Sequence, residues 1–594
     1  MKRSQHIAAF VVVVFVTCIA GFVYTAPSYA QHLVKGPIHH HPQENYTSML
    51  ASPVKASVAT SLVVEYKAGA TSAPGLQINP NLKILNTGGS DIALNHLVMR
   101  YWFTHDQSLH MQAFCDQAQI GCTNVAMTVK SLPLQPVAIA ADSYIQVGFT
   151  SGVLKAGSDT GDIFLHAQDS TSSSPVIQTN DFSYNGNLTT YTAWPGISLY
   201  LNGQLVWGFE PFCGGALFSD CQTPLSMRTA FGLQPLTVRG FTGKGQTIVV
   251  VDSFGSPTLQ QDVDFFSKTY GLPMGHLRVI TPLPLPPFNY NDPDMVRWAI
   301  ETTIDVENIR AIAPDANIVV LPSPVSETQG TIGFPQFMQL EQYAITNHLG
   351  SIFSQSWGAS ELTLTDQAGQ ALIKQYNDFY QQITLQDHVT VLNASGDNGA
   401  TDAADLNGDL ANVRTTSFPD DVPWVTSVGG VSLFKNQPLS AWQGSGGGVS
   451  SFFNEPDYQK ALPASVQSIL NGKRGVPDIA ANADPATAMA AYFNGSWSMI
   501  GGTSASTPQW AGIVAIGNQM EGRPLGFLNP ALYKLGTSPS AQDFFYDITS
   551  GNNDNPAAGV TGYPAVAGWD PVTGWGSPHL DFSRFLPELI AATP

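Results

Sequence analysis

Charge is scarce in this chain. Only 12% of its 594 residues are Asp, Glu, Lys or Arg, and 25 basic residues face 44 acidic ones. A formal charge of −19 argues against nucleic-acid binding and against attachment to anionic membranes, both of which need a basic face. With so few cations, few carboxylate–ammonium pairs exist to be lost at low pH. That suits a protein working in acid, and it suits an ordinary acidic extracellular protein equally well. Cysteine is also sparse, at five. Long apolar runs are missing apart from one near the N-terminus, so no other segment is expected to span a bilayer. Histidine is thin where chemistry would want it: after residue 220 there are only His276, His348, His388 and His579.

The one apolar run, Ala8 to Val23, follows Lys2 and Arg3 and precedes Ser28-Tyr29-Ala30. A basic start, an apolar middle and small residues at −3 and −1 predict a secretory leader over residues 1–30, cleaved before Gln31, with an uncleaved anchor as the alternative. The mature chain is then a secreted, extracellular protein with formal charge −21 and no membrane attachment. Cys18 leaves with the leader. The other four cysteines form two close pairs, Cys115 with Cys122 and Cys213 with Cys221, and export plus short spacing favours two local disulfides. Residues 31–58 read as a polar linker. The His39-His40-His41 run within it is more simply polar spacer than a metal site.

Two textures follow. From residue 59 to 211, short runs such as Leu62–Tyr66, Leu82–Leu85, Leu97–Phe103, Ile145–Phe149 and Ile197–Leu201 are separated by Gly, Asn, Asp and Ser clusters. Regular strands without helical period predict an all-β sandwich. Residues 212–222 read as a second linker. Over 223–590, strands (Gln246–Val251, Ala316–Leu321, Ser351–Ser354, Val389–Ala394) alternate with helices (Asp294–Arg310, Gln336–Asn347). That alternation predicts an α/β domain with a mostly parallel sheet flanked by helices, its site at the C-terminal strand ends.

Within 62–211, Leu62-Val-Val-Glu-Tyr66, Ile78-Asn-Pro-Asn-Leu-Lys-Ile84, Val98-Met-Arg-Tyr-Trp-Phe-Thr104, Thr179-Asn-Asp-Phe-Ser-Tyr184 and Tyr200-Leu-Asn-Gly-Gln-Leu-Val-Trp-Gly208 together resemble family 3 carbohydrate-binding (cellulose-binding) modules. The resemblance implies a jelly-roll sandwich and one structural calcium, held by Thr104, Asp106, the Ile177 carbonyl, Asn180 and Asp181; two carboxylates among neutral oxygens suit a hard cation. On the polymer-binding face, Asp116 is where the family has an aspartate. Gln117 stands where a histidine is common, and Ser170–Val176 has serines where a stacking tryptophan would lie. Weak binding of a polysaccharide such as cellulose and a purely structural or processing role both remain open.

The α/β part holds Gly501-Gly502-Thr503-Ser504-Ala505-Ser506-Thr507-Pro508 ahead of a helix predicted over Ala505–Met520. A serine at a turn-to-helix junction is an exposed nucleophile beside backbone N–H groups. Its usual base is a histidine, and no histidine here is followed by the Gly-Thr pair of subtilisins. Carboxylates are the alternative. Glu301 and Asp305 lie one turn apart on one helix face, with Glu307 pointing elsewhere. Buried together, the pair would share a proton; otherwise they are a solvated acidic face. Asp397, in Ser395-Gly396-Asp397-Asn398-Gly399-Ala400, follows a strand. A carboxylic acid there donates a hydrogen bond to an oxyanion only when protonated.

These segments, with Ser356-Trp357-Gly358, Gly446-Gly-Gly-Val-Ser450 and Pro477-Asp478-Ile479-Ala480, resemble the sedolisins, serine-carboxyl peptidases of subtilisin-like fold. The resemblance implies an acid-active endopeptidase, monomeric and acting on protein or peptide substrates. In it Ser504 attacks the carbonyl, Glu301 is the general base and then acid, Asp305 tunes Glu301, and Asp397 with the Ser504 N–H holds the oxyanion. Asp252 occupies a strand position that carries aspartate in subtilisins, and it is not part of the sedolisin catalytic set. Phe545-Tyr-Asp547-Ile548 and Gly568-Trp-Asp570-Pro-Val-Thr-Gly574 match the family's calcium loop. The implied Ca2+ ligands are Asp547, Asp570 and the carbonyls of Ile548, Val566 and Gly568. Sedolisins are made with a large N-terminal activation domain; the sandwich stands in its place here, which leaves ionised Asp397 at neutral pH as the expected source of latency. A polysaccharide-binding protein with an inert peptidase domain, and a histidine-dependent subtilisin-type enzyme, are the competing readings.

Overall fold

The computed structural model describes residues 61–69, 75–105, 110–169, 171, 176–578 and 582–592. The expected leader, the 31–58 linker, the His39–His41 run, Asp106 and His579 lie outside them.

In the first domain, strands β1 (Leu62–Ala68), β2 (Pro80–Asn86), β3 (Leu97–Phe103), β4 (Met111–Ala118), β5 (Val125–Ser131), β6 (Ser143–Phe149), β7 (Ile163–Asp169), β8 (Thr192–Ala193), β9 (Ile197–Leu201) and β10 (Gln204–Trp207) form two sheets, ordered β8-β1-β2-β7-β4 and β10-β9-β3-β6-β5. Strict alternation explains the sandwich. In Leu62–Ala68 every second residue is buried, so Leu62, Val64 and Tyr66 turn inward while Val63, Glu65 and Lys67 face out. The opposite sheet answers with Leu97, Met99, Tyr101 and Leu199 in the same core. The expected disulfides are both formed: Cys115–Cys122 ties β4 to the turn after it, and Cys213–Cys221 closes the segment between the domains.

The second domain is built on an eight-stranded sheet. Its strands are β11 (Thr247–Ser253), β12 (His276–Val279), β13 (Asn317–Ser323), β14 (Ile352–Gln355), β15 (Thr390–Ala394), β16 (Thr426–Ser432), β17 (Ser440–Ala441) and β18 (Ile479–Asn482). The order is β12-β13-β11-β14-β15-β16, all parallel; β16 then pairs antiparallel with β17 and parallel with β18. Strand β11 is buried on both faces, as its Ile-Val-Val-Val run requires. Helices α1 (Leu259–Tyr270), α2 (Pro293–Ile312), α3 (Phe334–Thr346), α4 (Gln367–Leu385) and α5 (Thr503–Glu521) cover the sheet. Helix α2 starts where the Asp292 carboxylate accepts from the Asp294 and Met295 amides, with Pro293 at the first helical position. Among the described residues no helix is long and apolar enough to cross a membrane.

Beneath α3, the buried Glu341 carboxyl accepts from Gln355 Nε2 and from the Tyr380 hydroxyl. Burial still pushes its pKa from 4.5 up to about 8. Such a group binds its proton more tightly folded than unfolded, so its stabilisation is complete below about pH 4.5 and is lost as pH rises through 8. Glu341→Gln keeps the shape and removes the titration. Urea unfolding is expected to show the variant losing less stability than wild type between pH 4 and pH 8, by on the order of 3 kcal/mol. Equal losses would contradict the assignment.

Candidate active site

Ser504 is the second residue of α5, and the loop before it is shaped by contact. Gly502 has φ +119°, and a Cβ there would lie 2.5 Å from Asp397 Oδ2. Only glycine lets the serine loop and the Asp397 loop approach so closely. Thr503 locks them together: its amide donates to Asp397 Oδ1 at 2.7 Å, its hydroxyl lies 2.9 Å from the same oxygen, and the Gly396 amide donates to that hydroxyl at 3.1 Å. Asp397 thus sits at the C-terminal end of β15, beside Ser504 in a small cleft also lined by Trp357 and Gly358. Burial of its carboxyl raises its pKa to about 7, and the two Thr503 donors only partly offset that.

Pro508 lies one turn after Ser504 in the same helix. It has no N–H, so the Ser504 carbonyl lacks its usual intrahelical partner. The Ser356 hydroxyl stands in, 3.4 Å away, and the same hydroxyl is 2.9 Å from Asp305 Oδ1. One hydroxyl has one hydrogen. When Asp305 is protonated it donates to Ser356, and Ser356 is freed to donate to Ser504.

The solvated reading of α2 is excluded. Glu301, Asp305 and Glu307 are each no more than 1% exposed. Burial raises the pKa of Glu301 and Asp305 well above the carboxylate range, and the charge of Asp252 raises both further. Asp252, at the end of β11, is itself fully buried and pushed up to about 7 by that burial, which the nearby Thr302 hydroxyl only partly offsets; neither of its oxygens meets hydrogen-bond geometry among the described residues. The position set aside in the sequence therefore belongs to the same carboxylate cluster. The Ser504 and Ser356 hydroxyls face Glu301 closely enough to favour its ionised form. Neither Glu301 oxygen meets hydrogen-bond geometry among the described residues. His276, His348 and His388 are all on the surface.

The other expected residues also come together in part. Val566 N donates to Asp570 Oδ2 at 3.0 Å and Gly568 N to Asp547 Oδ2 at 3.0 Å, so one loop, 566–568, lies between two carboxylates. Ile548 is buried beside them. No Lys or Arg pairs with either carboxylate among the described residues. Hard oxygens without a counter-cation fit Ca2+. No group of three or more His, Cys, Asp or Glu side chains among the described residues is placed to hold a metal ion by itself, so carbonyls and water would complete such a shell. In the sandwich, the Thr104 amide donates to Asp181 Oδ1 at 2.9 Å, which joins the 104 and 177–181 segments, and the buried Thr104 hydroxyl has no hydrogen-bond partner among the described residues.

The sandwich's outer face is less bare than its sequence suggests. Phe114, 41% exposed, stacks on His166 with ring centroids 5.1 Å apart, and Asp116 holds His166 Nδ1 at 2.7 Å. These rings come from β4 and β7, at positions other than the expected ones. Period-two alternation puts Phe114 and Asp116 on one face, and only the β4–β7 pairing brings His166 opposite Phe114.

The family model for the cellulose binding domain matches residues 63–208, and that for the subtilase family matches residues 299–523. Kumamolisin of Bacillus sp. (strain MN-32) is 33% identical over 373 residues, 60% of this chain and 62% of kumamolisin. Endoglucanase A of Paenibacillus lautus is 34% identical over 173 residues, 29% of this chain and 24% of the relative. Pseudomonas sedolisin, solved with two molecules of pseudo-iodotyrostatin, shares the fold at TM-score 0.52 and 22% identity, over 63% of this chain and 98% of that one. The chain spans about six-tenths of the length of kumamolisin. Fold and site define a subtilase-type domain whose serine faces carboxylates, preceded by a cellulose-binding-type sandwich. The second domain is similar to sedolisin-type peptidases such as kumamolisin, and the first is similar to family 3 carbohydrate-binding modules.

Proposed function

We propose that this chain is a secreted, acid-active serine-carboxyl endopeptidase whose sandwich adds binding to a polysaccharide such as cellulose. The observation that carries the reading is the placement of Ser504 between Asp397 on one side and the Glu301–Asp305–Asp252 cluster on the other. Ser504 Oγ attacks the peptide carbonyl as Glu301 accepts its proton. Glu301 then returns that proton to the leaving amine, and water releases the acyl group by the same route. Asp305 and Asp252 hold Glu301 in a buried cluster that cannot carry three charges, so its protons are shared. Asp397 and the Ser504 N–H stabilise the tetrahedral oxyanion. Asp397 donates only when protonated, hence below about pH 7. This also limits the enzyme at neutral pH.

One set of pH–rate profiles tests this. Ser504→Ala and Glu301→Gln are expected to lose about 10⁴-fold or more in kcat/KM for a peptide. Wild-type activity is expected to fall as pH rises through about 7. In Asp397→Asn the amide donates at every pH, so that fall should flatten while overall activity drops. Full activity in either of the first two variants removes the mechanism.

Calcium at Asp547, Asp570 and the Ile548, Val566 and Gly568 carbonyls would tie the 545–576 loop to the sheet as a structural ion. A second at Thr104, Asp106, Ile177, Asn180 and Asp181 would do the same in the sandwich. Treatment with EGTA is expected to lower the thermal midpoint by several degrees, roughly 2–4 °C per kcal/mol lost, with recovery on adding Ca2+. An unchanged midpoint argues against both ions.

For the sandwich, the exposed Phe114–His166 pair beside Asp116 offers ring carbon with a polar neighbour, the mixture a sugar face needs. Phe114→Ala is expected to reduce retention on insoluble cellulose by about tenfold, a loss of ~1.4 kcal/mol. If the wild type shows no retention, the module is structural.

A further inference from the structure

A linker between domains ordinarily leaves them free to move, and residues 212–222 read as one. The structure differs. A single buried cluster unites the two domains: Trp102, Ile139 and Phe182 from the sandwich share it with Phe266, Met489 and Trp497 from the peptidase domain. The sandwich loop between β5 and β6 enters most deeply, with Val137–Ala141 buried throughout. Its backbone is paired on both sides. Ile139 N donates to Pro211 O at 2.7 Å, Cys213 N to Val137 O at 2.8 Å, and Ala140 N to Trp497 O at 2.7 Å. Gln135 Nε2 donates to Thr269 O at the end of α1. Ala140 is held at φ +54°, a conformation unfavourable for any residue with a Cβ, which persists only where surroundings over-determine it.

What the sandwich grips matters more than the grip. Trp497 belongs to a hairpin, β19 (Ala490–Phe493) and β20 (Ser496–Met499), that packs beside α1 and α2. Leaving β20, the chain reaches Ser504 five residues after Met499. At the other strand, Tyr492 N donates to Glu307 Oε2 at 2.9 Å. Glu307 is two residues beyond Asp305 on the helix that also presents Glu301. One hairpin therefore touches both the nucleophile loop and the base helix, and the sandwich clamps its outer side. The Cys213–Cys221 disulfide and the Gln222 N–Ala488 O bond (3.0 Å) pin the connecting segment to the same region.

We propose that the sandwich is a fixed brace for the β19–β20 hairpin, setting Ser504 against the Glu301 helix, rather than a tethered targeting module. Ile139 and Trp497 are positioning residues in this scheme. The proposal rests on Ser504 and Glu301 being the reacting pair, but its structural half is testable without activity.

In the full chain, a specific protease site placed between Gly214 and Ser219 is cut and the disulfide reduced. The two halves are expected to co-elute on gel filtration and to unfold in one transition. Separate elution or two independent transitions overturns the brace, whether or not peptide is cleaved. In the intact chain, Ile139→Asp is expected to lower kcat by about 10–100-fold, the cost of a small misplacement, with KM changed less than about twofold. Ile139→Val should restore wild-type values. Wild-type kcat in a folded Ile139→Asp chain overturns the positioning role. If that variant does not fold, the nicked protein decides: activity must survive while the halves stay together and fall when dilution separates them, and activity in the separated peptidase half refutes the proposal.

Discussion

Removing carboxyl groups from water without giving them cations is the constraint on which this molecule turns. A buried carboxylate costs several kcal/mol unless it is paired or protonated. With only 25 basic residues in 594, pairing is rarely available. Among the described residues one ion pair is fully buried, Arg474 with Asp478 at 2.6 Å. Asp252, Glu301, Asp305, Glu307, Asp420 and Asp421 are buried as well, and each is driven toward its neutral form. Protonation is the remaining way to keep them inside. Around Ser504 that same protonation leaves exchangeable hydrogens on Glu301, Asp305 and Asp252.

The backbone is arranged to make the carboxyl cluster reachable from the serine. Gly502 permits contact between two loops that a Cβ would separate, and Thr503 converts the contact into hydrogen bonds. Pro508 removes one helical bond and so leaves the Ser504 carbonyl to Ser356, whose other neighbour is Asp305. The proton state of Asp305 is thereby connected through one hydroxyl to the backbone of the nucleophile itself. A helix without the proline would satisfy that carbonyl internally and break the link.

Much of this was legible in the sequence, for identifiable reasons. Alternation in Leu62–Ala68 and the unbroken apolar run of β11 reveal one-sided and two-sided burial directly. The Glu301–Asp305 spacing is a property of the helix and needs no tertiary knowledge. What pairing creates was not legible. Asp252 lies 49 residues before Glu301, and its place beside the cluster follows from β11 being central in the sheet. His166 meets Phe114 only through the β4–β7 register. The 212–222 segment has the composition of a linker, and nothing local distinguishes a free linker from one pressed against Trp102 by a distant hairpin. Sequence patterns report how each element meets solvent, whereas sites and seams depend on which elements meet each other.

The same chemistry recurs beyond the site and binds folding to function. The Ser450 hydroxyl lies 2.6 Å from Glu361 Oε1 and 2.7 Å from Asp421 Oδ2, all buried. It has one hydrogen for two carboxyls, and burial together with the neighbouring Glu361 drives Asp421 toward its neutral form. Asp420, next along the chain, accepts from Ser427 at 2.8 Å. Ser427, which Asp420 holds, lies on β16, the strand paired on one side with β15, which leads to Asp397, and on the other with β18. As pH rises, those acids must either ionise in place or open to water, and Asp397, raised to about 7, loses its proton as well. Both changes run in the same direction because both depend on carboxyl groups giving up their protons. A surface rich in lysine–carboxylate pairs would have the opposite sensitivity, losing its pairs in acid, so the scarcity of cations and the buried neutral carboxyls around Ser504 act in the same sense.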